Sequence, residues 1–91
     1  ADDVKTKYRR SPKTAGRLIG GTAYVVVPKK SALVKLNAAG TFIWSGMRKP
    51  VTAEETASLL CREFRVGKRK ALSDSKRFLA SMEKKGVLEK A

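Results

Sequence analysis

The feature that most constrains the fold of this chain is the change of hydrophobic period at Asn37. Residues 32–36 alternate between two faces, as a β-strand does, whereas residues 38–47 carry apolar side chains at helical spacing. Asn is a favoured helix N-cap, because its side-chain oxygen accepts a hydrogen bond from a free backbone N–H of the first turn. The sequence therefore predicts a strand that passes directly into a helix.

Two further strands are predicted before this junction. The apolar runs at 17–19 and 22–27 flank the pair Gly20-Gly21, and both glycines can adopt the positive φ of a two-residue hairpin turn. Pro28 ends the second run and begins another turn. The three strands predict an antiparallel meander in which the strand at 32–36 lies at the edge.

This third strand is expected to divide its side chains between the two faces of the sheet. Val34 and Leu36 are assigned to the core, because Leu36 leads into the helix, and Leu33 and Lys35 point to the other face. An edge strand exposes unpaired N–H and C=O groups, which proteins usually cover or protect. The edge is therefore a candidate binding surface.

Three helices are predicted after the strands, and the first of them follows Asn37. Its inward residues are expected to be Phe42, Ile43 and either Trp44 or Met47. Trp44 is expected in the core, because tryptophan is seldom left on the surface of a monomer. The strand order and the helix order together predict an α+β fold, β-β-β-α-α-α.

The second and third helices are predicted from caps and apolar stripes. Thr52 and Glu55 form a capping box at the start of the second helix. Gly67 and the basic residues 68–70 are expected to form a loop, and the third helix begins near Ser73 or Asp74. The inward stripes of the two helices are Ala57, Leu60, Cys61 and Phe64, then Phe78, Leu79 and Met82.

Charge and composition favour a binding protein over an enzyme. The 91 residues carry a net charge of +13, which favours acidic or polyanionic partners. There is no His, so no His-based catalysis or metal ligation is possible, and the single Cys61 cannot build a zinc site. No phosphate-binding glycine loop occurs. We therefore predict no catalytic residues, no cofactor and no metal.

The sequence also predicts the domain boundary and the location. Residues 1–15 lack periodicity and are rich in Lys and Arg, so they are predicted to form a flexible basic arm, with the folded domain at 16–91. No stretch is long and apolar enough to span a bilayer. Cys61 is expected to be a reduced, buried core thiol, which favours a cytoplasmic location.

The whole pattern resembles the PqqD family of small peptide chaperones, also described as RiPP recognition elements. The matching stretches are "YVVVP", "LNAAGTFIW", "TAEETASLL", "FRV" and "DSKRFLASMEKKGVL", in family order over residues 17–89. Two departures concern a loop and helix packing. The chain has Arg48-Lys49 where many relatives carry Asp-Gly, and Thr56 where the family is usually apolar.

The resemblance implies a fold similar to a winged helix-turn-helix, with peptide binding as the function. A precursor (leader) peptide adds as a fourth strand to the edge of the third strand, lies against the third helix, and is delivered to a modifying enzyme, often a radical SAM enzyme. The implied peptide-binding residues are Ala32, Leu33, Val34, Lys35, Leu36, Asp74, Lys76, Arg77, Ser81 and Glu83.

Several alternatives stay open at the level of sequence. Either flank of the third helix, Lys76 with Glu83 or Asp74 with Ser81 and Lys85, can face the third strand. The side chains of Leu33 and Lys35 can line the same cleft. The rival functions are winged-helix DNA binding and a scaffold subunit of an enzyme complex, and the protein is either a monomer or a weak dimer. The basic surplus suggests an acidic peptide or an acidic enzyme surface as partner.

Overall fold

A computed structural model describes residues 5–91 of the chain as six strands and three helices. In chain order they are β1 (Lys7–Arg10), β2 (Ala15–Ile19), β3 (Thr22–Val27), β4 (Ala32–Lys35), α1 (Ala38–Ser45), β5 (Val51–Thr52), α2 (Ala53–Phe64), α3 (Lys68–Lys84) and β6 (Leu88–Lys90). The predicted α+β fold, three antiparallel strands followed by three helices, is confirmed. Within the described residues no helix is long and apolar enough to cross a membrane.

The predicted meander is the sheet β2-β3-β4, in which all neighbours are antiparallel. Gly20 and Gly21 turn the first hairpin with φ values of 58° and 81°, a conformation that glycine adopts at little cost. A single 3₁₀ turn at Pro28–Lys30 leads into β4. As predicted, β4 pairs with β3 on one side and is an edge strand of this sheet.

A second sheet, in the order β5-β1-β6, was not predicted. Its central strand is β1, which pairs with residues 51–52 on one side and 88–90 on the other. The prediction of a flexible arm is therefore wrong for residues 7–10, because their pairing partners lie far away in the sequence. Residues 1–4 of that arm lie outside the described residues.

Arg10 fastens β1 to the end of α1. Its guanidinium donates to the carbonyl of Trp44 at 3.0 Å and to that of Ser45 at 3.1 Å. The same group lies 4.1 Å from the centroid of the Trp44 ring, in a cation–π contact. Burial, with a smaller contribution from the like charge of Arg48, lowers the pKa of Arg10 below its ordinary value. A cation at these carbonyls also interacts favourably with the negative end of the α1 helix dipole.

Two of the three helix N-caps are those predicted from the sequence. Asn37 accepts from the N–H of Gly40 at 2.7 Å, and Thr52 and Glu55 form the predicted capping box. The predicted start of α3 is wrong, because the helix already begins at Lys68 with Gly67 as its N-cap. Lys and Arg have high helix propensity, so residues 68–70 extend the helix rather than forming a loop.

The core lies between the meander and the helices. Trp44 is buried as predicted, and so are Leu36 and Leu79. Phe64, predicted in the core, is 39% exposed at the end of α2, where its ring makes an edge-to-face contact with Phe42 at 5.6 Å between centroids. The prediction of a fully buried thiol at Cys61 is also wrong, because this free cysteine is half-buried.

Candidate functional site

The backbone of β4 alternates between bonding to β3 and facing outward. The N–H of Leu36 donates to the carbonyl of Ala23 at 2.9 Å, which fixes the phase of the ladder. Because hydrogen-bonded pairs recur at every second residue of an antiparallel ladder, Val34 and Ala32 also bond to β3. The N–H and C=O groups of Leu33 and Lys35 therefore point to the free edge.

The side chains of β4 divide between the two faces as the alternation predicts. Val34 packs against the core and Leu36 is buried within it. Leu33 is 65% exposed and lies opposite Val26 on the outer face of the sheet, away from the helices. Lys35 shares that outer face. Their side chains do not line a cleft against the helices, so their contribution to the edge is made by their main chain.

Helix α3 runs alongside β4 and contacts the residues that follow the strand at one end and those that precede it at the other. At one end, a Cβ atom added to Gly40 would lie 2.8 Å from Phe78 Cε1 and 3.5 Å from Leu36 Cβ, so the Phe78 ring packs closely on the Gly40 backbone. At the other end, the Lys30 amine donates to the Lys84 carbonyl. The helix is therefore antiparallel to the strand, with a groove between them.

A cleft of about 540 Å³ lies between the three helices, next to the end of β4 at which Leu36 approaches Gly40. Its wall is largely apolar, and its polar groups are Asn37, Asp74, Arg77 and Ser81. Gly40 lines the cleft on the α1 side, where the Phe78 ring lies close to its backbone. The apolar lining residues come from all three helices and from the residues after α2: Ala39, Ile43, Leu60, Phe64, Val66, Phe78 and Met82.

The residues predicted from the sequence fall into two groups in the structure. Asp74, Arg77 and Ser81 line the cleft, whereas Lys76 and Glu83 do not. Part of the flank of α3 that carries Asp74 and Ser81 thus lines the cleft, whereas Lys85, on the same predicted flank, does not. The predicted residues 32–36 do not line the cleft.

Several lining residues are not distinguishable from ordinary core residues in the sequence and were therefore not predicted as part of the site. Phe78 is only half-buried and Phe64 is exposed, so both rings present surface to the cleft. The usable signal was spacing, since 74, 77, 78 and 81 recur at i, i+3, i+4 and i+7 on one helix face.

Asp74 is the carboxylate on the cleft wall, and two cations offset its charge. Lys70 lies 3.3 Å and Arg77 3.9 Å from its oxygens, one helical turn away on either side. These pairs are exposed and are screened by water, so each contributes little to stability. Among the described residues, no cluster of His, Cys, Asp and Glu has a composition that would hold a metal ion.

A free sheet edge, a helix that runs antiparallel beside it and an apolar cleft between helices characterise this small α+β domain. The family model of Coenzyme PQQ synthesis protein D (PqqD) matches residues 23–88, and the protein belongs to this PqqD family. A comparison with curated proteins gave no match.

Two solved structures share the fold over nearly their whole length. One is described as "TbiB1 in Complex with the TbiA(beta) Leader Peptide", with a TM-score of 0.79 and 24% identity over 89% of this chain and 94% of that one. The other is described as "Lasso peptide synthetase B1 complexed with the leader peptide", with a TM-score of 0.73 and 16% identity over 89% of this chain and 95% of the other.

Proposed function

We propose that this protein is a non-catalytic chaperone that binds the leader segment of a precursor peptide along β4 and presents it to a modifying enzyme. The observation that carries the proposal is the outward-facing main chain of Leu33 and Lys35 beside the groove of α3. The PqqD family and the two similar structures, both described as complexes with leader peptides, support it.

Binding would proceed by β-augmentation, in which an extended peptide completes a sheet edge with main-chain hydrogen bonds. Leu33 and Lys35 offer two N–H donors and two C=O acceptors for this purpose, and none of them is needed by β3. Alternate side chains of the added strand would face the helices. The apolar cleft beside Phe78 is placed to receive one of them.

The partner of the complex would be the enzyme that modifies the core of the precursor, such as a radical SAM enzyme or another RiPP-modifying enzyme. The protein itself would supply no catalytic group, consistent with the absence of His from the sequence. We place it in the cytoplasm, where precursor peptides are synthesised, and as a monomer or weak dimer in the absence of peptide.

An amide chemical-shift titration of the full chain tests this function. The probe is a peptide selected from a random dodecapeptide display library on the immobilised protein. We expect the largest shifts at Leu33 and Lys35 in β4 and at Phe78 and Ser81 in α3. Shifts confined to other surfaces would overturn the proposal.

A parallel titration with duplex DNA distinguishes peptide binding from the rival function, winged-helix DNA binding. A DNA-binding protein would shift the exposed basic residues of α3, such as Lys76 and Lys84, and would lose affinity steeply with salt. We expect no saturable shifts with DNA. Tight DNA binding without peptide binding would favour the winged-helix alternative.

A further inference from the structure

The acidic residues of this chain are distributed unevenly. Every charged side chain between Asp3 and Glu54 is Lys or Arg, so the whole meander sheet, including β4, lacks a carboxylate side chain. A peptide strand added to β4 would therefore meet no negatively charged side chain from this sheet.

Four lysines lie where the β3–β4 turn touches the end of α3. Lys29 and Lys30 belong to the turn, and Lys84 and Lys85 end the helix. The two segments are in contact, since the Lys30 amine donates to the Lys84 carbonyl and the Lys30 stem would be 3.7 Å from a Cβ on Gly86. We call this group the turn-end lysines. All four are exposed.

The turn-end lysines lack acidic partners within residues 5–91, the part of the chain that the structure describes. The ion pairs found there join Arg9 to Glu89 and Asp74 to two cations farther along α3. Glu83 precedes Lys84 but projects about 100° away from it around the helix axis. The positive charge at this end of the groove is therefore available to a ligand.

The two ends of the groove thus differ in chemistry. The end beside Leu36 opens into the apolar cleft under Phe78, and the end beside Ala32 lies next to the turn-end lysines. Ala32 and Leu36 are four residues apart, or roughly 13 Å along a strand. In an added strand, residues at i and i+4 point to the same face, so one peptide can reach both ends from one side.

We propose that the peptide bound here is acidic at a defined position: it places an apolar side chain in the cleft and an Asp or Glu about four residues away against the turn-end lysines. The inference rests on the proposed function and adds the chemical class of its substrate. The turn-end lysines lie at one end of the groove. Peptides that pair with β4 through the same main-chain hydrogen bonds would therefore differ in affinity according to whether they carry an acidic residue at this end.

Peptides selected from the dodecapeptide display library provide the test. We expect the selected sequences to share a large apolar residue and an acidic residue at a spacing of about four. Changing that Glu to Gln in a labelled consensus peptide should weaken its binding about two- to fivefold in fluorescence anisotropy, and high ionic strength should weaken it similarly.

Two double variants of the protein distinguish an effect of the turn-end lysines themselves from an effect of the protein's total charge on peptide binding. The double variant K84Q/K85Q, which keeps Lys29 and Lys30, should weaken binding of the consensus peptide about two- to fivefold and should distinguish Glu from Gln less than the wild-type protein does. The matched control K68Q/R69Q removes the same charge from the far end of α3 and should bind as the wild-type protein does. Amide spectra establish that both variants are folded.

Two results would overturn this inference and leave the proposed function intact. One is a set of β4-binding peptides without enrichment in Asp or Glu, and the other is equal loss of affinity in both double variants. If no selected peptide binds at the edge of β4, the proposed function itself fails, and the inference fails with it.

Discussion

The substitution Leu33→Pro separates peptide binding from folding, because the N–H of Leu33 faces the free edge of β4. Proline removes that donor without breaking a hydrogen bond to β3, and its φ near −65° lies at the border of the strand region. The loss of stability should be below about 1 kcal/mol, the size of one cross-strand contact such as that with Val26. The melting temperature should fall by less than about 8 °C.

The neighbouring substitution Val34→Pro is the contrasting case. Val34 is hydrogen-bonded to Val25 and packs on the core, so proline there removes a ladder bond, leaves the Val25 carbonyl unpaired and loses valine packing, which together should cost about 3 kcal/mol or more. A loss of that size lowers the melting temperature by about 12 °C or more in a domain of this length. The buried Trp44 gives a fluorescence signal for both unfolding curves.

Peptide binding should be lost in Leu33→Pro even though this variant stays nearly as stable as the wild-type protein. With a labelled peptide that binds β4, Leu33→Pro should raise the dissociation constant at least about tenfold, through a lost hydrogen bond and a ring that obstructs the neighbouring strand. Leu33→Ala, which keeps the N–H, should bind nearly as the wild-type protein does. The reasoning is refuted if Leu33→Pro binds normally, or if the two proline variants unfold at the same temperature.

Three further predictions concern the elements that hold the groove in place. Asn37→Ala should lower the free energy of unfolding by about 1 kcal/mol in chemical denaturation, whereas Asn37→Asp keeps the cap and should change it little. Arg10→Lys keeps the charge but loses the forked contact with Trp44 and Ser45, and should cost about 1.5–3 kcal/mol in the same assay. Gly16→Ala would place a Cβ 2.6 Å from Trp44 Cη2, and should cost about 1–3 kcal/mol and shift the tryptophan emission.

Features set by local chemistry could be predicted from the sequence. The cap at Asn37 and the capping box at Thr52 each depend on residues three apart, so their residue types alone identify them. The glycine pair at 20–21 likewise fixes its turn through its own backbone freedom. These local signals placed β4 at the sheet edge and joined it to α1.

Features set by distant contacts could not be predicted in the same way. Strand β1 is basic and short, and its partners lie at 51–52 and 88–90, so nothing within residues 7–10 indicates pairing. The start of α3 at Lys68 lacks a side-chain cap, which removed the usual sequence signal.

The candidate site was predictable only in part, because it combines a local feature, the strand edge, with contacts between distant segments. The position of β4 at the end of the meander identified its backbone as a free edge, but only the ladder phase shows that the outward N–H and C=O groups are those of Leu33 and Lys35. The composition of the cleft depends on the packing of Phe78 on Gly40, a contact between segments far apart in the chain.

Amide hydrogen exchange of Leu33 and Lys35, with and without a peptide selected on the protein, tests the central claim most directly. In the free protein both amides should exchange rapidly, while those of Val34 and Leu36, bonded to β3, should be protected. On peptide binding, Leu33 and Lys35 should become protected to a similar degree. Saturating peptide that leaves both amides in rapid exchange would contradict an added strand at this edge.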